Sequence, residues 1–239
     1  MTSFKIKMMT IAEKIKAYNR SLDFKGSLPQ GISIMNPYQN LAILQLTDTF
    51  YDKYYADKQS RRLILGINPG RLGAGATGIP FTDTKRLQAD CAIPFSGFET
   101  HEPSSVFVYD VIAAYGGVAA FYSHFYINSV CPLGFTKTNE RGAEVNYNYY
   151  DSRDLTEAVY AFIVANIEQL LHLGFDASTC FCLGMGENFK FLNKLNRAKK
   201  YFGSIVPLDH PRFVMQYRLK SKEAYVAKYC EALTRYEGF

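Results

Sequence analysis

Two side chains stand where a chain can do chemistry. Asn68 follows the apolar run Leu63-Ile64-Leu65, inside the stretch GINPGRLGAGATGIPF that spans 66–81, and His210 follows the run SIVPL in Asp209-His210-Pro211. A side-chain amide can hold a water or a polar ligand atom, and an imidazole can donate a hydrogen bond or move a proton near neutral pH. The glycines after Asn68 allow the backbone to approach a ligand with no side chain between, Pro69 stiffens the entry, and Phe81 arrives at the far end. Such a loop can wrap a flat ring, with the backbone of Gly66, Ile67, Pro69 and Gly70 along its edge and Phe81 on its face. A third polar pair, Asn128-Ser129, ends another β-rich run.

The same loop contains Gly73-x-Gly75-x-x-Gly78, the spacing of a dinucleotide-binding fingerprint. That fingerprint needs its first glycine directly after the strand and a helix that runs on through the motif. Here five residues separate the strand end from Gly73, and Pro80 blocks a helix running through. Asp83 and Asp90 come too early to be the ribose-binding acid, and without a Gly-Lys-Ser/Thr ending the loop is no phosphate cradle either.

These groups must be positioned by alternating strands and helices. The apolar patterning predicts strands at 61–67, 125–131, 179–183 and 204–208, and helices at 10–18, 41–55, 106–115, 154–173, 187–200 and 221–236. Leu41, Leu44, Leu46, Phe50 and Tyr54 form the expected apolar side of the second helix, and Ser104 or Ser105, Asp83 and Ser221 are the expected N-caps. Gly174 suits a left-handed C-cap. Strands separated by helices predict an α/β fold, a three-layer α/β/α sandwich with a central, mostly parallel four-stranded sheet in a single domain, 1–239. Ligands in such sheets bind beyond the carboxyl ends of the strands, where Asn68, Asn128-Ser129, Gly184-x-Gly186-Glu187-Asn188 and Asp209-His210 all fall. The region 24–39 reads as a loop-rich approach. The polar, tyrosine-rich 136–151, TKTNERGAEVNYNYYD, reads as a long exposed loop, either a solvated connection or a nucleic-acid-facing surface that uses Lys137, Arg141, Tyr147, Tyr149 and Tyr150.

The 239 residues are 48% hydrophobic and 21% charged, with no apolar stretch long enough to span a bilayer. The first nine residues lack the sustained apolar core of an export signal, so a cytoplasmic location is expected. The net charge of +5 is compatible with a polyanionic partner without requiring one. Five cysteines with no C-x-x-C pair and four scattered histidines suggest reduced thiols and no metal site.

The glycine stretch resembles the first motif of the single-strand-selective monofunctional uracil-DNA glycosylases, in which G-M-N-P-G-P-F-G precedes T-G-V-P-F. Met35-Asn36-Pro37-Tyr38 resembles that family's preceding N-P segment, Asn128 with Cys131-Pro132-Leu133 its N-x-C-P-L, and Asp209-His210-Pro211 its H-P-S-P-R motif. The resemblance implies a monomeric, cofactor-free DNA repair hydrolase that flips uracil, with other damaged bases as further candidate substrates, out of single- or double-stranded DNA and cuts its glycosidic bond. By the same resemblance Asn68 would position the hydrolytic water, Phe81 would stack on the base, and His210 would donate to uracil O2. The base edge would be read by Asn128 or Ser129; the family asparagine lies one residue nearer the C-P-L, and a one-residue shift in a strand reverses the face. The stretch after His210 departs from the family motif. Arg212, Gln216 and Arg218 are expected to contact DNA, and Phe213 and Met215 either wedge into the duplex or pack beneath the last helix. A non-catalytic nucleic-acid-binding module and a hydrolase of free nucleosides are the competing functions.

Overall fold

The structure is a computed structural model that describes residues 9–235; the N-terminal segment read for export signals and the end of the last predicted helix lie outside them. In chain order the elements are α1 (Ile11–Ser21), β1 (Ile32–Met35), α2 (Leu41–Tyr55), β2 (Arg62–Gly66), α3 (Ala74–Thr77), α4 (Thr84–Ala89), α5 (Pro103–Tyr115), α6 (Val118–His124) and β3 (Phe125–Ser129). Then follow β4 (Gly134–Thr138), β5 (Glu144–Tyr147), α7 (Arg153–His172), β6 (Asp176–Leu183), α8 (Glu187–Lys199), β7 (Ser204–Leu208), α9 (Pro211–Tyr217) and α10 (Lys222–Thr234). Among them no single helix is long and apolar enough to cross a membrane.

A four-stranded, wholly parallel sheet in the order β3-β2-β6-β7 forms the middle layer. Its two neighbouring strands β2 and β3 are buried at every residue, and their apolar segments Leu63-Ile64-Leu65 and Phe125-Tyr126-Ile127 suit strands with helices on both faces. Ile64, Ile127 and Leu183 face Val108 and Val111 of α5, Phe121 of α6 and Leu233 of α10. On the other face Tyr126 meets the rings of Tyr51 and Tyr55 on α2, and Cys182 meets Asn188 of α8. This is the expected α/β sandwich.

Four local expectations change. The region 136–151 is not a loop: β4 and β5 form a hairpin and β1 adds to its edge, giving a second, antiparallel sheet in the order β1-β4-β5. Its strands are short and mostly polar, and the one alternation they carry, Val145 and Tyr147 in β5, is too brief to stand out from a loop. β1 is only four residues between Pro29 and Pro37, too short to stand out from a loop. On α2 the buried face is Ile43, Leu46, Thr47, Phe50, Tyr51 and Tyr55, while Leu41 is 76% exposed. Glu102, not a serine, occupies the N-cap of α5 ahead of Pro103, whereas Ser221 is the N-cap residue of α10 as expected, though its side chain makes no capping hydrogen bond. Asp83 does cap α4, its Oδ1 accepting from the Arg86 N–H at 2.8 Å.

Candidate active site

The loop from β2 begins at Gly66, where a Cβ would stand 3.4 Å from the Phe81 ring, so the missing side chain leaves space for that ring. The chain turns at Gly70, whose carbonyl accepts from the N–H groups of Gly73 and Gly75. A side chain at Gly75 would strike that carbonyl at 2.8 Å. One helical turn, α3, does form within the glycine motif, but it ends at Gly78 in the left-handed region, so no helix carries a dinucleotide site. The Tyr38 hydroxyl bonds the Gly78 carbonyl at 2.8 Å, which ties the Asn36-Pro37-Tyr38 segment to the loop. Phe81 itself adopts φ +50, a conformation that costs a non-glycine residue energy and is held here by its surroundings.

Asn68 is fixed by the hairpin. Its Nδ2 donates to the Tyr147 carbonyl at 3.2 Å and reaches the Pro69 carbonyl at 3.4 Å, while its Oδ1 accepts from the Tyr149 N–H at 3.0 Å. The neighbouring partners therefore decide which way the amide points, leaving Oδ1 one further lone pair for a water.

His210 is the N-cap of α9, and its Nδ1 accepts from the Arg212 N–H at 3.1 Å. A ring nitrogen that accepts carries no proton, so the neutral ring holds its proton on Nε2. Burial, aided by the Arg212 cation, pushes the imidazole down to about 3, so it is neutral at physiological pH. The rings of Phe81 and His210 lie 6.0 Å apart, centroid to centroid.

Asn68, Phe81, Ser129 and His210 line one cleft of about 230 Å³, with Ile67, Pro69 and Gly70 in its wall. That is below the ~300–1,000 Å³ of typical drug-sized sites and suits a single flat ring. A search of curated proteins finds no match. A family model described as the uracil DNA glycosylase superfamily matches residues 53–234. Among solved structures, one titled "The crystal structure of WT Pedobacter heparinus SMUG2" matches with 55% sequence identity and a TM-score of 0.93, covering 95% of this chain and 98% of that one. The chain belongs to the uracil DNA glycosylase superfamily. Its class is therefore that of a DNA glycosylase, a hydrolase of DNA repair, and its four-stranded parallel sheet between helices matches the fold of the SMUG2 structure.

Within this glycosylase the remaining expected residues separate. Ser129 lines the cleft, whereas Asn128 points to the opposite face of β3, its Nδ2 donating to the Tyr126 hydroxyl at 3.0 Å and its Oδ1 accepting from the Ser129 N–H. The alternation of a strand allows only one of two adjacent residues to face the site. Gly66 lies behind Phe81, outside the lining. Arg212, Phe213 and Gln216 line the cleft, Met215 packs against the core, and the Arg218 guanidinium, outside the lining, sits 5.3 Å from the centre of the Phe213 ring.

Sequence reasoning missed Glu102, Ser104, Asn148 and Tyr217 in the lining, and offered Tyr150 only as one of several nucleic-acid-facing side chains. Asn148 and Tyr150 belong to the hairpin end read as loop, and Tyr217 ends a helix too short to show periodicity. Asn188, expected only as one of the polar groups beyond the strand ends, is 1% exposed and joins three elements: its Nδ2 donates to the carbonyls of Gly66 at 3.3 Å and Leu183 at 3.0 Å, and its Oδ1 accepts from the Tyr149 hydroxyl at 2.9 Å. Asn188→Ala strands those buried groups and is expected to cost about 3 kcal/mol of stability, at about 1–3 kcal/mol per unsatisfied group. Urea unfolding checks this, and an unchanged midpoint would show that the junction carries no stability.

Proposed function

We propose that this glycosylase is monofunctional and removes uracil from DNA by hydrolysis, taking the base out of the stack into the cleft. The observation that carries the reading is the meeting of Asn68, Phe81 and a neutral His210 in one base-sized cleft of a uracil DNA glycosylase superfamily member. A uracil leaving group departs as a delocalised anion, so a hydrogen-bond donor aimed at its O2 lowers the barrier without a general acid. The His210 Nε2–H is such a donor. Phe81 stacks on the ring, Ser129 meets its edge, and the wall at Gly70 and Ala74 crowds the C5 position, which favours uracil over thymine. Arg212 and Gln216 at the mouth hold the strand, and Phe213 with Tyr217 fills the gap left by the flipped nucleotide. The protein acts in this scheme as a cytoplasmic monomer, without a cofactor.

The test is incubation of purified protein with a uracil-containing oligonucleotide, single-stranded and paired. Release of free uracil and an alkali-labile abasic site are expected, without strand cleavage before alkali. Binding without release would favour a non-catalytic module, and faster hydrolysis of free deoxyuridine would favour a nucleoside hydrolase.

A further inference from the structure

The cleft holds one carboxylate that the proposed chemistry leaves idle. Glu102 reaches it from the N-cap of α5, with its backbone N–H bonded to Asp83 Oδ2 at 2.8 Å and its Oε2 accepting from the Ser105 hydroxyl at 2.9 Å. Its carboxyl lies against the glycine loop: a Cβ at Gly73 would overlap Oε2 at 2.2 Å, and one at Gly70 would stand 3.6 Å from Oε1. The bare glycines thus make space for an acid as well as for a ligand. Oε1 has no hydrogen-bond partner among the described residues and is reached by solvent. No cation lies within ion-pair distance of it there, so it is presented to the cleft uncommitted.

Asn68, two residues from Gly70 in the same wall, is a feeble base. Its donor side is spent on the Tyr147 and Pro69 carbonyls, and its Oδ1 already accepts one N–H. It can orient a water but cannot take its proton, because a neutral amide has almost no affinity for one.

We propose, resting on the uracil-excision reading above, that Glu102 is the general base that takes the proton from the attacking water. The water oxygen bonds to C1′ as the bond from C1′ to the base nitrogen breaks, and that electron pair leaves on the base, held by the His210 Nε2–H. The water proton passes to Glu102 Oε1 and is returned to solvent when the products leave. Before that transfer the carboxylate faces the positive charge that develops on the sugar and stabilises it through space. The protonation state of the acid supports the assignment. Burial and the neighbouring Asp83 push the Glu102 carboxyl up to about 6, against the opposing Ser105 hydrogen bond and Arg212 cation, which puts its proton affinity near working pH.

The titratable and charged groups around it come from several elements. His210 and Arg212 face it from α9, Asp83 from the turn before α4, Tyr150 from the hairpin end, and His101 precedes it with its ring 3.5 Å from Asp83. His210 stays neutral down to about 3, and burial pushes the Tyr150 hydroxyl up to about 12, so neither titrates between pH 5 and 8.

The experiment is single-turnover uracil release from a uracil-containing oligonucleotide between pH 5 and 8 by wild type, Glu102→Gln, Glu102→Asp and His101→Gln. Wild type and His101→Gln are expected to lose rate as pH falls through about 6, as a base that must be deprotonated requires. Glu102→Gln is expected to lose about 10²-fold at pH 8, the lower range for a general base, and to show no acid limb. Glu102→Asp recovers part of the rate. Oligonucleotide affinity should persist in Glu102→Gln. Its melting temperature at pH 8 should rise, because a carboxyl with a raised pKa destabilises the fold once deprotonated and an amide removes that cost. A flat wild-type profile across this range, an acid limb lost in His101→Gln, or a Glu102→Gln rate within threefold of wild type would overturn the role. Failure of the wild type itself to release uracil would overturn the excision reading instead.

Discussion

Replacing His210 with alanine is expected to slow uracil release about 10²–10³-fold, the usual cost of removing one preorganised donor from a developing anion. The expectation rests on the state of the ring. Its Nδ1 is occupied by the Arg212 N–H, so the single proton of the neutral imidazole is on Nε2. A cationic ring would be a stronger donor, but burial and Arg212 both oppose the charge and hold the group at about 3. The loss in His210→Ala should therefore be the same at pH 6 and pH 8, and His210→Gln, which keeps a donor, should recover part of the rate. A loss that vanished above pH 6.5 would mean that an imidazolium does the work. Stability has a matching signature. The folded-state value lies below the ordinary one, so the unfolded chain binds the extra proton between about pH 6.5 and 3, and stability falls as pH falls through that window. His210→Ala should soften this acid sensitivity, as read from urea midpoints at pH 7 and pH 4.

What the sequence disclosed follows from what each signal measures. The sandwich was legible because β2 and β7 are short apolar runs bounded by polar or glycine residues, and α7 is a long amphipathic helix followed by Gly174 with a left-handed φ of 96. The hairpin was not, because Thr136, Lys137, Thr138 and Glu144 make its strands read as polar loop, although Gly134, Phe135 and Thr136 are buried. That omission hid part of the site. The hairpin supplies the backbone groups that orient Asn68, so the residue was recognisable from its motif while its geometry was not. Adjacent Asn128 and Ser129 could not be told apart by residue type, since an asparagine is the better base reader on paper; in the structure it is Ser129, not Asn128, that lines the cleft. Glu102 was invisible for a different reason. Its role comes from a contact with Gly73 across nearly thirty positions, and pattern within one segment does not record such a contact.

The same hairpin contact governs the second large effect, at Asn68. Asn68→Ala removes the group that would orient the water and also releases the Tyr147 and Tyr149 backbone, so a loss of about 10²-fold or more in uracil release is expected from misplacement alone. Asn68→Asp is the sharper case. By residue chemistry an aspartate is the stronger base and should speed hydrolysis. In this fold its second oxygen would replace Nδ2 at 3.2 Å from the Tyr147 carbonyl and 3.4 Å from that of Pro69, setting a carboxylate oxygen against two acceptors with no proton between them. Either the hairpin end shifts or the acid takes up a proton, and neither leaves a carboxylate aimed at water. Asn68→Asp should therefore be slower than wild type at pH 8, and its deficit should shrink as pH falls toward the range where the new acid protonates and regains a donor. Single-turnover release from a uracil-containing oligonucleotide reads both variants. An Asn68→Asp enzyme faster than wild type at pH 8 would mean that the Tyr147 and Pro69 carbonyls do not constrain the amide, and that the base in this cleft stands at position 68.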